Sequence, residues 1–163
     1  MKKIFSIMAC SLMLNASSFD EGIKILDLGH ETKASNEFFA SAKSGDVDSQ
    51  MILGEMYLDG IGVDIDHQKA FYWLSKAAQA GDVEAQYLLG FMYENGLKVA
   101  KNVLRATKWY TKAALQGDVL SQYNLAIIYK EGRGEISRDM SEAFKWLSMV
   151  EESGKKLPLL ASK

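Results

Sequence analysis

Apolar and small side chains recur along this chain with the spacing of helices. Between residues 47 and 80 they fall at positions three and four apart, and polar side chains fill the places between. Such spacing places the apolar set on one face of an α-helix. Two faces of this kind follow one another: Gln50, Leu53, Gly54 and Tyr57 on the first, and Ala70, Trp73, Leu74, Ala77 and Ala78 on the second. The pattern therefore predicts a pair of helices joined by a loop.

The same two-helix sequence pattern recurs twice more along the chain. The letters GDV recur every 36 residues, and a tyrosine keeps the same spacing, while a tryptophan follows at intervals of 36 and 37. The landmarks are Gly45, Gly81 and Gly117; Tyr57, Tyr93 and Tyr129; and Trp73, Trp109 and Trp146. A repeat of this length indicates a solenoid, in which stacked helix pairs share one continuous core.

Start and stop signals agree with this division. Glycine is favoured where a helix ends in the left-handed conformation, and Asp or Asn is favoured as the N-cap residue. Glycines stand at 60, 96 and 132 and at 45, 81 and 117; acidic or amide residues stand at 46, 82 and 118 and at 66, 102 and 139. The predicted first helices are 47–59, 83–95 and 119–131, and the predicted second helices are 67–80, 103–116 and 140–152.

Two finer expectations follow from comparing the repeats with one another. Lys98 stands where the other loops have Gly62 and Gly134, so we expect the middle loop to adopt a different turn. Trp109 shares an apolar stripe with Ala106 and Ala113. It is therefore expected to be a buried side chain between the central helices.

The segments AQYLLGFMYENG and ATKWYTKAALQGD, with the loop GIGVDIDHQKAFYWLSKAAQAGD, resemble the Sel-one-like repeat, a branch of the tetratricopeptide-like superfamily. The resemblance implies an all-α fold, an α-solenoid of helix-turn-helix repeats forming a right-handed superhelix. It covers an array at 33–154, made of a half-repeat at 33–45 and repeats at 46–81, 82–117 and 118–154. The first-helix partner of the half-repeat at 33–45 would lie in the signal segment, so residues 17–32 are expected to be a linker or N-terminal cap, and 155–163 a C-terminal tail.

The first sixteen residues have the composition of a secretory signal peptide. Two lysines precede an apolar run from Ile4 to Leu14, and Ala16 supplies a small residue for cleavage. Export to the periplasm or the medium is therefore expected, with Ser17 as the first mature residue. A lipoprotein acylated at Cys10 is the alternative. Cleavage would leave a mature chain with no cysteine, and no stable membrane span is expected.

Composition and motifs give little sign of chemistry. Removing Lys2 and Lys3 changes the formal charge from −2 to −4, which argues against a nucleic-acid partner. The two histidines, His30 and His67, belong to no metal-ligand motif. We therefore predict no catalytic residue, no cofactor and no metal.

One enzymatic alternative comes from the resemblance itself. Some cysteine-rich bacterial relatives carry a β-lactamase label, which implies a β-lactam-binding or hydrolysing protein as the alternative function. Ser153 and Lys156 form an S-x-x-K match, but neither S-D-N nor K-T-G accompanies it, and the cysteine pairs of those relatives are absent.

The resemblance implies that the first helices line a concave groove, which would bind a protein or peptide partner. We expect the positions that vary between repeats to face it, because the positions that agree build the core. The expected partner-binding residues are Met51, Glu55, Tyr87, Phe91, Glu94, Tyr123, Ile127 and Lys130. A non-enzymatic scaffold is the first interpretation and an envelope assembly chaperone or adaptor a further alternative. No full capping helix follows Gly154, so self-association through an exposed C-terminal end is also expected.

Overall fold

A computed structural model describes residues 18–154, and every regular element in that range is an α-helix. Helix α1 covers 18–27. The others are α2 (Glu31–Ser44), α3 (Val47–Asp59), α4 (His67–Ala80), α5 (Val83–Asn95), α6 (Val103–Leu115), α7 (Val119–Glu131) and α8 (Met140–Glu152). The six predicted helices of the repeats are therefore confirmed, with one end differing by a single residue. The expected signal peptide, Cys10 and the tail at 155–163 lie outside the described residues.

The predicted caps explain why the helices begin and end where they do. The Asp46 and Asp118 side chains accept a hydrogen bond from the backbone amide three residues on, each at 2.7 Å. Asp66, Asn102 and Asp139 cap the second helices in the same way. All six predicted stop glycines have positive φ: Gly45, Gly60, Gly81, Gly96, Gly117 and Gly132. Satisfied end groups thus fix the boundaries.

The first compact unit reaches to Asp82 and has its own core. Phe38 of α2 is fully buried in this core, which also includes Leu53 of α3 and Trp73 of α4. Ile25 of α1 is buried in the same cluster, and the Phe19 and Phe38 rings lie 6.0 Å apart. Residues 18–27 therefore supply a helix packed on α2. The expectation that this helical partner would lie in the signal segment is wrong.

The second unit, from Val83 onward, is built around Tyr110 of α6, which is fully buried. Leu125 of α7 and Trp146 of α8 complete its core. Trp109 is only half-buried, with the Lys112 ammonium 4.1 Å from its ring centroid. The expectation that Trp109 is the buried side chain of the central helices is wrong. The adjacent Tyr110 occupies that place, because its position on α6 faces α5 and α7.

Close helix approach in each unit depends on a glycine in a first helix. A Cβ atom at Gly54 would lie 2.6 Å from Leu74 Cγ, and one at Gly90 would lie 2.5 Å from Tyr110 Cδ1. Both distances are too short for real carbon atoms. The absence of a side chain at Gly54 and Gly90 therefore lets the second helix of each pair approach the first closely.

The middle loop does not adopt the different turn that Lys98 was expected to impose. Lys98 has φ 55°, close to the 68° of Gly62 and the 58° of Gly134. A lysine therefore occupies the left-handed region that the other two loops reserve for glycine. Hydrogen bonds on both sides of Lys98, from the Leu97 amide to the Met92 carbonyl at 3.0 Å and from the Asn102 amide to the Tyr93 carbonyl at 2.8 Å, hold this turn despite the cost of the β-carbon.

Candidate functional site

The eight predicted partner-binding residues lie on the first helix of each repeat. Met51 and Glu55 belong to α3 of the first unit; Tyr87, Phe91 and Glu94 belong to α5, and Tyr123, Ile127 and Lys130 to α7, of the second unit. The spacing is four residues on α3, and four and then three residues on α5 and α7. Side chains at that spacing share one face of a helix. Each of these helices therefore presents its own predicted residues on a single face.

None of the eight residues is fully buried. Phe91 is 40% exposed, Lys130 is also exposed, and the other six are half-buried. The constant leucines of the same helices differ from them: Leu53, Leu89 and Leu125 are all buried. The eight residues therefore have surface that a partner could contact, and their role in binding stays a prediction.

Tyr87 combines an accessible edge with a structural contact. Its ring packs against the core of the second unit, with its centroid 6.0 Å from that of Tyr110. Burial, followed by the nearby carboxylates of Asp118 and Glu94, raises the pKa of Tyr87. Removing this ring would therefore disturb packing as well as any partner contact.

Glu94 takes part in a hydrogen-bonded network inside the second unit. The Tyr110 hydroxyl donates to Glu94 Oε2 at 2.9 Å, and Arg133 Nη1 donates to Glu94 Oε1 at 2.7 Å. Its side chain keeps only 16% of its exposure. Both carboxylate oxygens are thus occupied by groups from α6 and from the loop after α7, and Glu94 acts here as an internal link.

Tyr110 and Arg133 supply the donors of this network, and the groove prediction did not include them. Each does depart from its counterparts: Leu74 matches Tyr110, and Ile61 and Leu97 match Arg133. A phenol and a guanidinium at otherwise aliphatic positions were the available signal. Their hydrogen bonds to Glu94 could not be predicted from the sequence, because Tyr110 and Arg133 lie 16 and 39 residues from Glu94 along the chain.

A cleft of about 580 Å³ opens beside this network within the second unit. The loops after α5 and α7 form its walls, with Lys101 and Glu135 among the charged side chains that line it. Arg133 also donates from Nε to Glu131 Oε2 at 2.6 Å. These hydrogen bonds and charges, from Glu131 first and then Glu94, raise the pKa of Arg133.

The described residues offer little geometry for chemistry. Between 18 and 154 there is no group of three or more His, Cys, Asp or Glu side chains that could hold a metal ion. The Ser153 hydroxyl donates to the Val150 carbonyl at 2.7 Å, and Lys156 lies outside the described residues. No helix in this part of the chain combines the length and apolar character needed to cross a membrane.

Comparison with known proteins identifies the repeat. The family model for the Sel1 repeat matches residues 47–82, 83–118 and 119–151. These matches span α3 to α8, and their boundaries fall at the helix pairs seen in the structure. Sequence and structure thus divide the chain in the same way.

Solved structures with the same repeat superpose on this chain. A protective antigen of uropathogenic Escherichia coli strains, which displays an SLR fold, is 32% identical, with a TM-score of 0.81 over 86% of this chain and 31% of the antigen. A Sel1 repeat protein from Oxalobacter formigenes is 27% identical, with a TM-score of 0.79 over 86% of this chain and 59% of that protein. The present chain thus spans less than two thirds of either relative. A search of the curated proteins returned no match.

Proposed function

Because the chain belongs to the Sel1 repeat family, whose members are generally non-catalytic scaffolds for protein–protein interaction, we propose that it is a non-enzymatic scaffold that binds a protein or peptide partner. The binding surface would be the first-helix face, defined as the accessible faces of α5 and α7 in the second unit; α3 of the first unit presents a corresponding face of its own. One observation carries the proposal: the variable residues named above are exposed or half-buried on these helices, whereas the constant Leu53, Leu89 and Leu125 are buried.

The chemistry of this surface favours a partner with an apolar or aromatic segment. Tyr87, Phe91 and Tyr123 offer rings at the centre of the α5 and α7 faces, and Lys130 offers charge at an edge. Aromatic side chains surrounded by polar ones are typical of interface hot spots. Glu94 contributes indirectly, since its network holds α5 against α6 and the loop after α7.

The partner is expected to be met outside the cytoplasm. The lysines and apolar run of residues 1–16 support an export signal, and a protective antigen among the structural relatives is compatible with it. Periplasmic or extracellular accumulation of a chain beginning near Ser17 would support this part of the proposal. Intact Met1 protein found only in the cytoplasm would contradict it, and acylated Cys10 would replace it with a lipoprotein.

Affinity capture tests the proposal when it includes variants of the surface. The wild-type chain, a Phe91→Ala/Tyr123→Ala variant and a Leu104→Ala control would be used as bait on envelope and medium fractions, with mass spectrometry as readout. Leu104 of α6 is 42% exposed, nearly the same as Phe91, but it lies on a second helix. The proposal predicts a protein captured by the wild type and the control and lost with the double variant. Equal capture by all three folded baits would contradict it.

A further inference from the structure

The first unit contains a cleft of about 530 Å³ that the first-helix face does not include. Helices α2 and α4 form its two sides, and the end of α3 contributes a tyrosine. Its lining residues are Phe39, Lys43, Tyr57, Lys69, Tyr72 and Trp73. Every one of these residues is aromatic or basic.

Three rings form the apolar part of this cleft. Phe39 meets Trp73 edge to face, with centroids 5.9 Å apart and planes at 80°. Tyr72 meets Trp73 in the same manner at 4.8 Å and 78°. Trp73 is buried, whereas Phe39 is 42% and Tyr72 is 52% exposed. Two accessible rings therefore each pack against one buried indole.

Lysines surround the rings. The ammonium groups of Lys43, Lys69 and Lys76 lie 5.6, 5.0 and 4.9 Å from the ring centroids of Phe39, Tyr57 and Tyr72, respectively. Residues 18–82 hold only five lysines and no arginine, against twelve acidic residues. Three of the five thus gather at this cleft, where Lys69 also pairs with Asp66 at 3.4 Å. A basic surface lies within an acidic unit.

Comparison between repeats shows which residues of the cleft recur in other repeats and which occur only here. The tryptophan with a lysine above it recurs as Trp109 and Lys112, so this pair belongs to the repeat. Phe39 does not recur: its counterparts are Ser75, Thr111 and Ser148. Tyr72 does not recur either, because Lys108 and Lys145 stand in its place. The two exposed rings are therefore additions to this cleft that the fold does not need.

We propose that this aromatic–lysine cleft binds an acidic peptide segment of a partner protein. An apolar side chain of the segment would lie between Phe39 and Tyr72, and its carboxylates would pair with Lys43 and Lys76. Charge complementarity favours an acidic segment, because the lysines would repel a basic one. The rings favour a segment that also carries an apolar side chain. The cleft is a second surface, separate from the first-helix face.

Two pools of short synthetic peptides provide the probe for this proposal. Both carry the same Phe, Leu and Trp residues, which alternate with Asp and Glu in one pool and with Lys and Arg in the other. The full chain should bind the acidic pool about tenfold or more tightly than the basic pool in fluorescence anisotropy. Equal binding of the two pools would overturn the proposal.

Variants then locate the binding. Phe39→Ser/Tyr72→Ser should weaken binding of the acidic pool by about tenfold or more, because both anchors are lost. Phe144→Ser is the matched control, since Phe144 is 63% exposed on α8 of the other unit, and it should leave binding unchanged. Circular dichroism checks that each variant is folded. Unchanged binding in a folded double variant would overturn the proposal.

Two further measurements test the role of the lysines and the identity of the occupant. Lys43→Glu/Lys76→Glu should abolish the preference for acidic peptides, and a preference that persists would contradict the role of the lysines. Sedimentation velocity would detect a second copy as the occupant: self-association lost in Phe39→Ser/Tyr72→Ser would overturn the peptide proposal. Phe91→Ala/Tyr123→Ala should bind the acidic pool normally, so failure at this cleft and failure of the first-helix face are distinguishable.

Discussion

At the scale of single residues, a position that varies between repeats is not by itself a binding position. Glu94, Tyr110 and Arg133 all depart from their counterparts, yet they bind one another. The three departures compensate for one another within the second unit. The half-buried Glu94 carboxylate needs hydrogen-bond donors, and Tyr110 and Arg133 supply them. Phe91 and Tyr123, by contrast, vary and stay accessible. Accessibility must therefore be combined with variation before a residue is assigned to a surface.

The different burial of two adjacent aromatic residues of α6 predicts different losses of stability when each is replaced by alanine. Tyr110→Ala should lower the free energy of unfolding by about 3–5 kcal/mol, because it opens a cavity in the core and removes a donor to Glu94. Trp109→Ala should cost less than half as much, since Trp109 is half-buried. Urea titration of both variants measures the difference. A larger loss for Trp109→Ala would contradict the placement of Tyr110 at the centre of this core.

Tyr110 should also make stability depend on alkaline pH. Burial, then the charge of Glu94, raises the pKa of Tyr110 well above its ordinary value near 10. The folded state thus favours the protonated phenol. Its contribution is fully present below the unfolded pKa and is lost as the pH rises above it.

The test of this pH dependence compares wild type with Tyr110→Phe. Above about pH 10 the free energy of unfolding should fall more steeply with pH in the wild type than in the variant, because the variant has one fewer raised phenol. Because Tyr110→Phe keeps the buried ring, the comparison isolates the titrating hydroxyl group of Tyr110. Identical slopes for wild type and Tyr110→Phe would show that the phenol does not contribute.

At the scale of elements, local signals explain why the helices of the repeats could be predicted so closely. Caps such as Asp66 and stop glycines such as Gly60 act within a few residues, and both act as the sequence indicates. Helix α1 lacked these landmarks, and its place on α2 depends on the distant Phe38. The Lys98 turn was also not predictable, because the surrounding loop overrides the preference of the residue itself.

The middle loop gives a prediction of stability at this scale. Lys98→Gly should raise the free energy of unfolding by about 0.5–1 kcal/mol, since glycine removes left-handed strain but adds entropy to the unfolded chain. Gly62→Ala should do the reverse, because its new Cβ would clash with the Glu31 carbonyl. Thermal unfolding of the two variants provides the comparison. Destabilisation by Lys98→Gly would contradict this prediction. It would mean that a contact of the lysine side chain stabilises the fold by more than the left-handed backbone conformation costs.

At the scale of the whole molecule, the sequence predicts the repeat solenoid but only part of its surface chemistry. Periodicity alone is enough for the array, because each repeat buries the same positions. The first-helix face stays a proposal, which the family resemblance implied and which variation between repeats narrowed to particular residues. The aromatic–lysine cleft did not, since Phe39 and Tyr72 meet through the packing of α2 against the α3–α4 pair. Partner identity depends on a second molecule and lies outside what one chain encodes.

The charge of the surface should influence how fast a partner is found. Residues 17–100 carry 6 basic and 14 acidic side chains, and residues 101–163 carry 11 and 7. Charge at the edge of an interface acts mainly on the association rate. For a partner bound at the first-helix face, raising the salt concentration should therefore slow association more than it accelerates dissociation.

The dissociation constant of a captured partner, measured for the wild type and for Phe91→Ala/Tyr123→Ala, tests the central claim most directly. Each aromatic anchor of an interface can contribute about 2 kcal/mol, which corresponds to about thirtyfold in affinity. We predict that the double variant weakens binding by at least about thirtyfold while its thermal unfolding stays close to that of the wild type, with Leu104→Ala unchanged in both. An unchanged dissociation constant in a folded double variant would contradict binding at the first-helix face.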